Sequence, residues 1–198
     1  MEKNLQLDRL VFFCDAVVAI AITLLVFNLK LDQNYAHLTF SELGSAWQKL
    51  IAFFVSFLNI AIFWTIHHSF YAYIKKVDSK LLRYNLCWLF FIVLIPFSAS
   101  LVSSYLHDKP AMFIYSLNVF LITIFQNLIW DYASVKPGYL KEEISPVTIR
   151  DYRLSCNVAM INALLAIVLS FFNPLVAFIS LFLRLPMIGI ARRIFKIK

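Results

Sequence analysis

The sequence predicts an all-α polytopic membrane protein with six transmembrane helices and both termini in the cytoplasm. Three observations lead there. Apolar residues make up 62% of the 198 residues and charged ones only 15%, where soluble domains run at about half and about a quarter. Runs of about twenty apolar residues recur along the chain, each long enough to cross a bilayer. The basic residues sit in short caps between those runs. The net charge of +7 therefore reads as membrane topology, not as a nucleic-acid surface. Barrel strands would be about ten residues long and alternating, and no such pattern occurs.

The first span, 10–29, is almost unbroken apolar sequence with Asp15 inside it and Arg9 at its mouth. A carboxylate at mid-bilayer costs roughly 2.5–3.5 kcal/mol on insertion scales, so it needs a partner or a task. Asp15, the excess length and the missing Ala-x-Ala exit predict that this segment is retained rather than cleaved as a signal peptide.

The second span, 50–74, carries Asn59, Trp64, His67 and His68. The third, 86–106, is entered from Asn85 and holds Pro96, which frees the carbonyl of Ile92 and predicts a kink. Asn118, Gln126 and Asn127 in the fourth span, 111–130, and Asn157 and Asn162 in the fifth, 154–172, predict interhelical hydrogen bonds. Asn173-Pro174 reads as a cap with proline at the first helical position of the sixth span, 174–191. Arg184, just ahead of Pro186, leaves two outcomes open. Either the helix breaks into a basic interfacial tail, or Arg184 turns inward.

Among the connections, 30–49 is long enough for a short helix, with Ser41-x-x-Gly44 as a partial cap. His107–Pro110 is a tight turn. The stretch 131–153 holds Lys136-Pro137-Gly138 and Ser145-Pro146, both turn signals. Nothing marks a second domain or an internal repeat, so 1–198 reads as one six-helix domain. Three cysteines, Cys14, Cys87 and Cys156, have no metal spacing and read as small buried hydrophobes.

Charge sets the orientation. Lys3, Arg9, Lys75, Lys76, Lys80, Arg83, Lys136, Lys141, Arg150, Arg153, Arg192, Arg193, Lys196 and Lys198 fall on one side, fourteen of the eighteen basic residues. Lys30, Lys49 and Lys109 lie opposite. The positive-inside rule puts the crowded side, with both termini, in the cytoplasm.

On a helical wheel, Arg9, Phe13, Ala16, Ile20, Thr23 and Phe27 lie within about 40° of a common direction, with Leu24 just beside them. Asp15 points about 120° away, with Ala19, Ile22 and Val26. The first face is apolar with a single hydroxyl, and helix packing and pore lining would both use it. Asp15 must meet a neighbouring helix, and an Asp–His or Asp–Arg pair is the natural partnership, with His67 at the same depth and Asn85 close enough to join. His67 and His68, about 100° apart, cannot share one metal from a single helix face. No cofactor site is expected.

Other chemistries lack their residues. There is no Thr-Val-Gly-Tyr-Gly filter loop, no arginine ladder, no phosphate-cradling glycine loop and no nucleophile paired with a base, so an enzyme is not expected. Three glycines give little sign of the broken helices that transporters use. A proton-linked transporter with Asp15 and His67 as relay, and a non-transporting membrane scaffold, stay open.

Arg9-x-x-x-Phe13-Cys14-Asp15 resembles the R-x-x-x-F-S-D motif on the first helix of the transmembrane protein 175 family, the lysosomal potassium channel and its prokaryotic relatives. Cys14 stands where the family has serine. The following Ala-Ile-Ala-Ile-Thr-Leu-Leu-Val, then Asn59 with Trp64, His67 and His68, then Asn85 with Pro96-Phe97, are similar to the family's first three helices. The later spans match only in kind. The resemblance implies a potassium-permeable channel, a homotetramer of single six-helix units in a prokaryotic plasma membrane, with the first helices lining a central pore. It places Ile20 at a hydrophobic constriction, Thr23 and Leu24 beside it and Phe27 near the outer mouth. It implies that Arg9, Phe13, Asp15, Trp64, His67 and Asn85 pack the first three helices together.

Overall fold

The computed structural model describes residues 2–30, 40, 44 and 46–195, with side chains from Gln6 onward. Among the described residues, six helices are long and apolar enough to cross a membrane. The first span is α1, Glu2–Leu24, tightening into a 3-10 turn over Leu25–Leu29; the second is α2, Trp47–Tyr73. The third is divided into α3, Ser79–Val93, and α4, Ile95–Ser104. The fourth and fifth are α5, Lys109–Val135, and α6, Pro146–Ser170. The sixth is α7, Pro174–Ser180, a 3-10 turn over Leu181–Leu183, and α8, Arg184–Ile194.

Two helices begin earlier than their apolar runs because polar residues cap them outside the hydrophobic window. Asp78 Oδ1 accepts from the backbone N–H groups of Lys80 at 3.1 Å and Leu81 at 2.9 Å, starting α3 seven residues ahead of the expected span. Ser145 Oγ accepts from Thr148 N at 3.0 Å, so Ser145-Pro146 is a helix start rather than a turn. Asn173 caps α7 through Leu175 N and Val176 N, with Pro174 at the first position as expected. Ser41, in the expected partial cap of the long outer loop, lies outside the described residues.

The two interrupted spans break at prolines, without glycine. The third turns at Leu94, two residues before Pro96. The sixth turns just ahead of Arg184 and Pro186, where Asn162 Nδ2 donates to the Ser180 carbonyl at 2.8 Å. That stitch holds the break against α6 instead of releasing a tail. Arg192 makes a two-pronged pair with Asp151 at 2.6 and 2.8 Å, and Arg150 donates to the Phe195 carbonyl at 3.0 Å, so α8 is packed rather than splayed.

Packing follows the small and aromatic residues. The most extensive helix pair is α5 on α6. Trp88, Trp130, Tyr115, Phe63 and Phe70 are fully buried, and Phe70 stacks on Trp130 at 4.6 Å between centroids. The predicted amide bonds form between helices: Asn118 to Ser98 Oγ, Gln126 to the Phe63 carbonyl and Asn127 to Asn157. Many large apolar side chains point outward instead, Phe90, Phe97 and Leu165 among them, which suits a lipid surround. Cys14 and Cys156 are buried; Cys87, expected inside, is exposed.

The end of the bundle that carries both termini is tied by charge. Asp78 Oδ2 accepts from Tyr132 at 2.6 Å, Lys136 at 2.8 Å and Tyr139 at 2.8 Å. Partial burial pushes the Asp78 carboxyl upward, but the Leu81 N–H, the Lys136 ammonium and the two phenols together hold it well below the usual range. Lys136 is raised by its bond to Asp78 first and by the two tyrosines after it. Lys75 N donates to the Tyr139 carbonyl and Lys141 N to the Tyr73 carbonyl, fastening the exit of α2 to the α5–α6 connection. Gly138, at φ 74, makes the turn that brings Tyr139 there.

Candidate functional site along the first helix

Helix α1 buries one stripe and leaves the opposite one uncovered. Leu10, Cys14, Val18, Ala21 and Leu25 recur at three- and four-residue spacing and are buried against the other helices. Arg9, Phe13, Ala16, Ile20, Thr23, Leu24 and Phe27 are all exposed. Ile20 keeps 59% of its surface and Phe27 62%, so nothing in the subunit itself covers this face. Thr23 Oγ1 donates to the Ile20 carbonyl at 2.8 Å. With its hydrogen used on its own helix, the hydroxyl oxygen offers only lone pairs outward. Beyond it, Asn28 Nδ2 donates 3.0 Å to the Pro96 carbonyl, joining the 3-10 turn of α1 to the first turn of α4.

The polar residues expected to join the first three helices divide into two groups. Asp15 accepts from the indole Nε1 of Trp64 at 2.8 Å. The expected Asp–His or Asp–Arg pair is not made: His67 lies flat against Trp88, 4.1 Å between centroids at 11°, and is aimed at α3. In this second group, His67 Nε2 meets Asn85 Oδ1 at 2.7 Å, Tyr71 OH donates to the same oxygen at 3.1 Å, and Asn85 Nδ2 donates to Cys14 Sγ at 2.9 Å. Since Oδ1 can only accept, the hydrogen-bond network assigns the His67 proton to Nε2. The thiol of Cys14 thus sits at the end of the chain as an acceptor. Arg9 and Phe13 are placed outside both groups and instead line a cavity of about 770 Å³ with Val77, Asp78, Leu82 and Leu86.

Three participants were not anticipated from the sequence. Tyr71 lies one turn beyond His67, and Trp88 three residues beyond Asn85, so helical spacing would have found both. Asn28 had no such signal, because its partner is a backbone carbonyl on another helix, that of Pro96. Among the described residues, no group of three or more His, Cys, Asp or Glu could hold a metal ion.

Known proteins are similar to this chain in sequence and in fold. A family model described as "Endosomal/lysosomal potassium channel TMEM175" matches residues 9–96, which include both polar groups and the exposed face of α1. A potassium channel of Chamaesiphon minutus is 30% identical over 159 residues, covering 75% of this chain and 78% of that one. A potassium channel of Streptomyces collinus is 34% identical over 128 residues, 62% of each chain. An endosomal/lysosomal proton channel, TMEM175 of Gallus gallus, is 25% identical over 146 residues, 67% of this chain but 29% of that longer one. The crystal structure of a lysosomal potassium-selective channel TMEM175 homolog from Chamaesiphon minutus superposes with a TM-score of 0.77 at 27% identity, over 94% of this chain and 98% of that chain. This six-helix membrane protein belongs to the TMEM175 family of ion channels.

Proposed function

We propose that the chain, as a single six-helix domain, is the subunit of a potassium-permeable channel assembled around its first helices. The observation that carries the reading is the uncovered face of α1, with Ile20, Thr23, Leu24 and Phe27 in line while the opposite stripe is buried. Four such faces enclose an axial path in a homotetramer. The potassium-channel names of the Chamaesiphon and Streptomyces relatives support the ion. The basic end of the bundle would face the cytoplasm, in a prokaryotic plasma membrane.

In this mechanism no carbonyl filter operates. A ring of Ile20 side chains forms an apolar neck whose readiness to wet controls passage. Thr23 oxygens, each with its hydrogen already bonded to Ile20, replace part of a cation's hydration shell. Potassium holds its water less tightly than sodium, so a neck demanding partial dehydration favours it. Asp15 with Trp64, and His67 with Asn85 and Cys14, act by holding α1 in register, while Arg9 and Phe13 stand outside both groups.

A bilayer recording of the purified protein under opposed potassium and sodium gradients tests this. Unitary currents reversing near the potassium equilibrium potential are expected; silence under every gradient would leave a non-transporting scaffold. The proton-channel name of the Gallus gallus relative favours a second reading, proton conduction. A direct Asp15–His67 relay is poorly suited to it, since the two side chains have separate partners. Currents that follow the proton gradient alone would select it.

A further inference from the structure

Arg184 is a buried cation with no counter-charge among the described residues. It is 4% exposed, ten residues into the sixth span from Pro174. Its guanidinium lies 4.7 Å from the Phe63 ring centre, on a π face. Among the described residues no acceptor takes a hydrogen bond from it, and Nη2 is buried without a partner. The ion pairs of the described residues, Lys75–Glu142, Lys136–Asp78, Arg153–Asp131 and Arg192–Asp151, all lie at the end of the bundle with the termini. A bare guanidinium at this depth is costly, because the medium that would solvate it is absent.

Beside it is space. A cavity of about 60 Å³ between α2 and the α7–α8 junction is lined by Arg184 and Asn59, with Val55, Leu58, Ile62 and Leu181 as apolar walls. A buried water needs roughly 10–15 Å³ of such space, so a small ion fits as well. The polar lining is rich in donors. Asn59 spends one amide hydrogen on Tyr115 OH at 3.1 Å and has a second, and Arg184 carries the charge. A cation would be repelled, and a water would leave the positive charge uncompensated. We propose that this cavity binds a small monovalent anion of the chloride type, held by Arg184 with Asn59 beside it. It is separate from the α1 face and independent of whether that face conducts.

The purified protein is melted in sodium chloride and in sodium gluconate at matched ionic strength. Chloride at a hundredfold excess over its Kd is expected to raise Tm by roughly 5 °C. Arg184→Gln, which removes the charge and keeps donors, is expected to lose that dependence. Crystals of the unaltered protein grown in sodium bromide should show an anomalous peak against Arg184, a readout that stands even if the variant fails to fold. Equal melting of the unaltered protein in both salts, a chloride effect that persists in Arg184→Gln, or no bromide peak in the cavity would each overturn the proposal.

Discussion

Thr23 shows how a single bond decides the polarity of a site. Its hydrogen lies on the Ile20 carbonyl, so what it presents across the uncovered face is an oxygen suited to a cation. Thr23→Ala should lower the potassium-to-sodium permeability ratio several-fold with unitary currents retained, read from the reversal potential. If Ile20 forms the proposed neck, Ile20→Ala, by widening and wetting it, should raise conductance and weaken selectivity. The Asp15–Trp64 bond makes a different demand. A hydrogen bond contributes about 0.5–1.5 kcal/mol net, so Trp64→Phe should lower Tm in detergent by roughly 1–6 °C. If Trp64→Phe melts like the unaltered protein, the bond does not anchor α1 to α2.

At the scale of elements, Asp78 joins a helix start to two other segments. One oxygen caps α3 while the other takes Tyr132, Lys136 and Tyr139 from α5 and the loop after it. A carboxylate held below its usual range stabilises the fold above the ordinary pKa of about 3.9 and loses that contribution as pH falls through its lowered value. Lys136, held above its usual value, contributes below about 10.5 and loses its part only at higher pH. The cluster should therefore be insensitive between about pH 5 and 9. Asp78→Ala should lower Tm at neutral pH and flatten its fall in acid, measured by melting across a pH series; a parallel acid limb in both proteins would contradict this. The α1 mouth carries the other joint. Asn28→Ala removes the bond to the Pro96 carbonyl, and faster amide hydrogen exchange over residues 25–29 is expected.

At the scale of the whole molecule, the subunit leaves two kinds of apolar surface. The broad one, with Phe90, Phe97 and Leu165, is spread over the outward sides of the bundle, and the narrow one runs along α1 beside Arg9. Lipid can cover the first without any partner. In the proposed channel, the stripe bearing Thr23, flanked by the bonded Asp15, is covered by copies of the same chain. Cysteine placed at Phe27 is expected to cross-link between subunits in membranes, giving a ladder ending at four chains on a gel. Monomer alone under oxidation would count against assembly through this face.

Much of this was legible in the chain. The six spans follow from where apolar runs stop, and the wheel of 10–29 already separates Ile20, Thr23 and Phe27 from Asp15, because helical periodicity needs no partner to be computed. Helix starts such as Asp78 and Ser145 escaped hydropathy, since a cap is polar by nature and lies outside the window. Partners were the true gap. That Asp15 meets Trp64 while His67 turns to Asn85, and that Arg184 faces the Phe63 ring, depends on the rotation of each helix against its neighbours. The sequence by itself determined the membrane class, the order of spans and the two faces of the first helix, all of them local properties. Only the tertiary structure decided which face meets which, because packing shape, and not any pattern along one helix, sets that rotation.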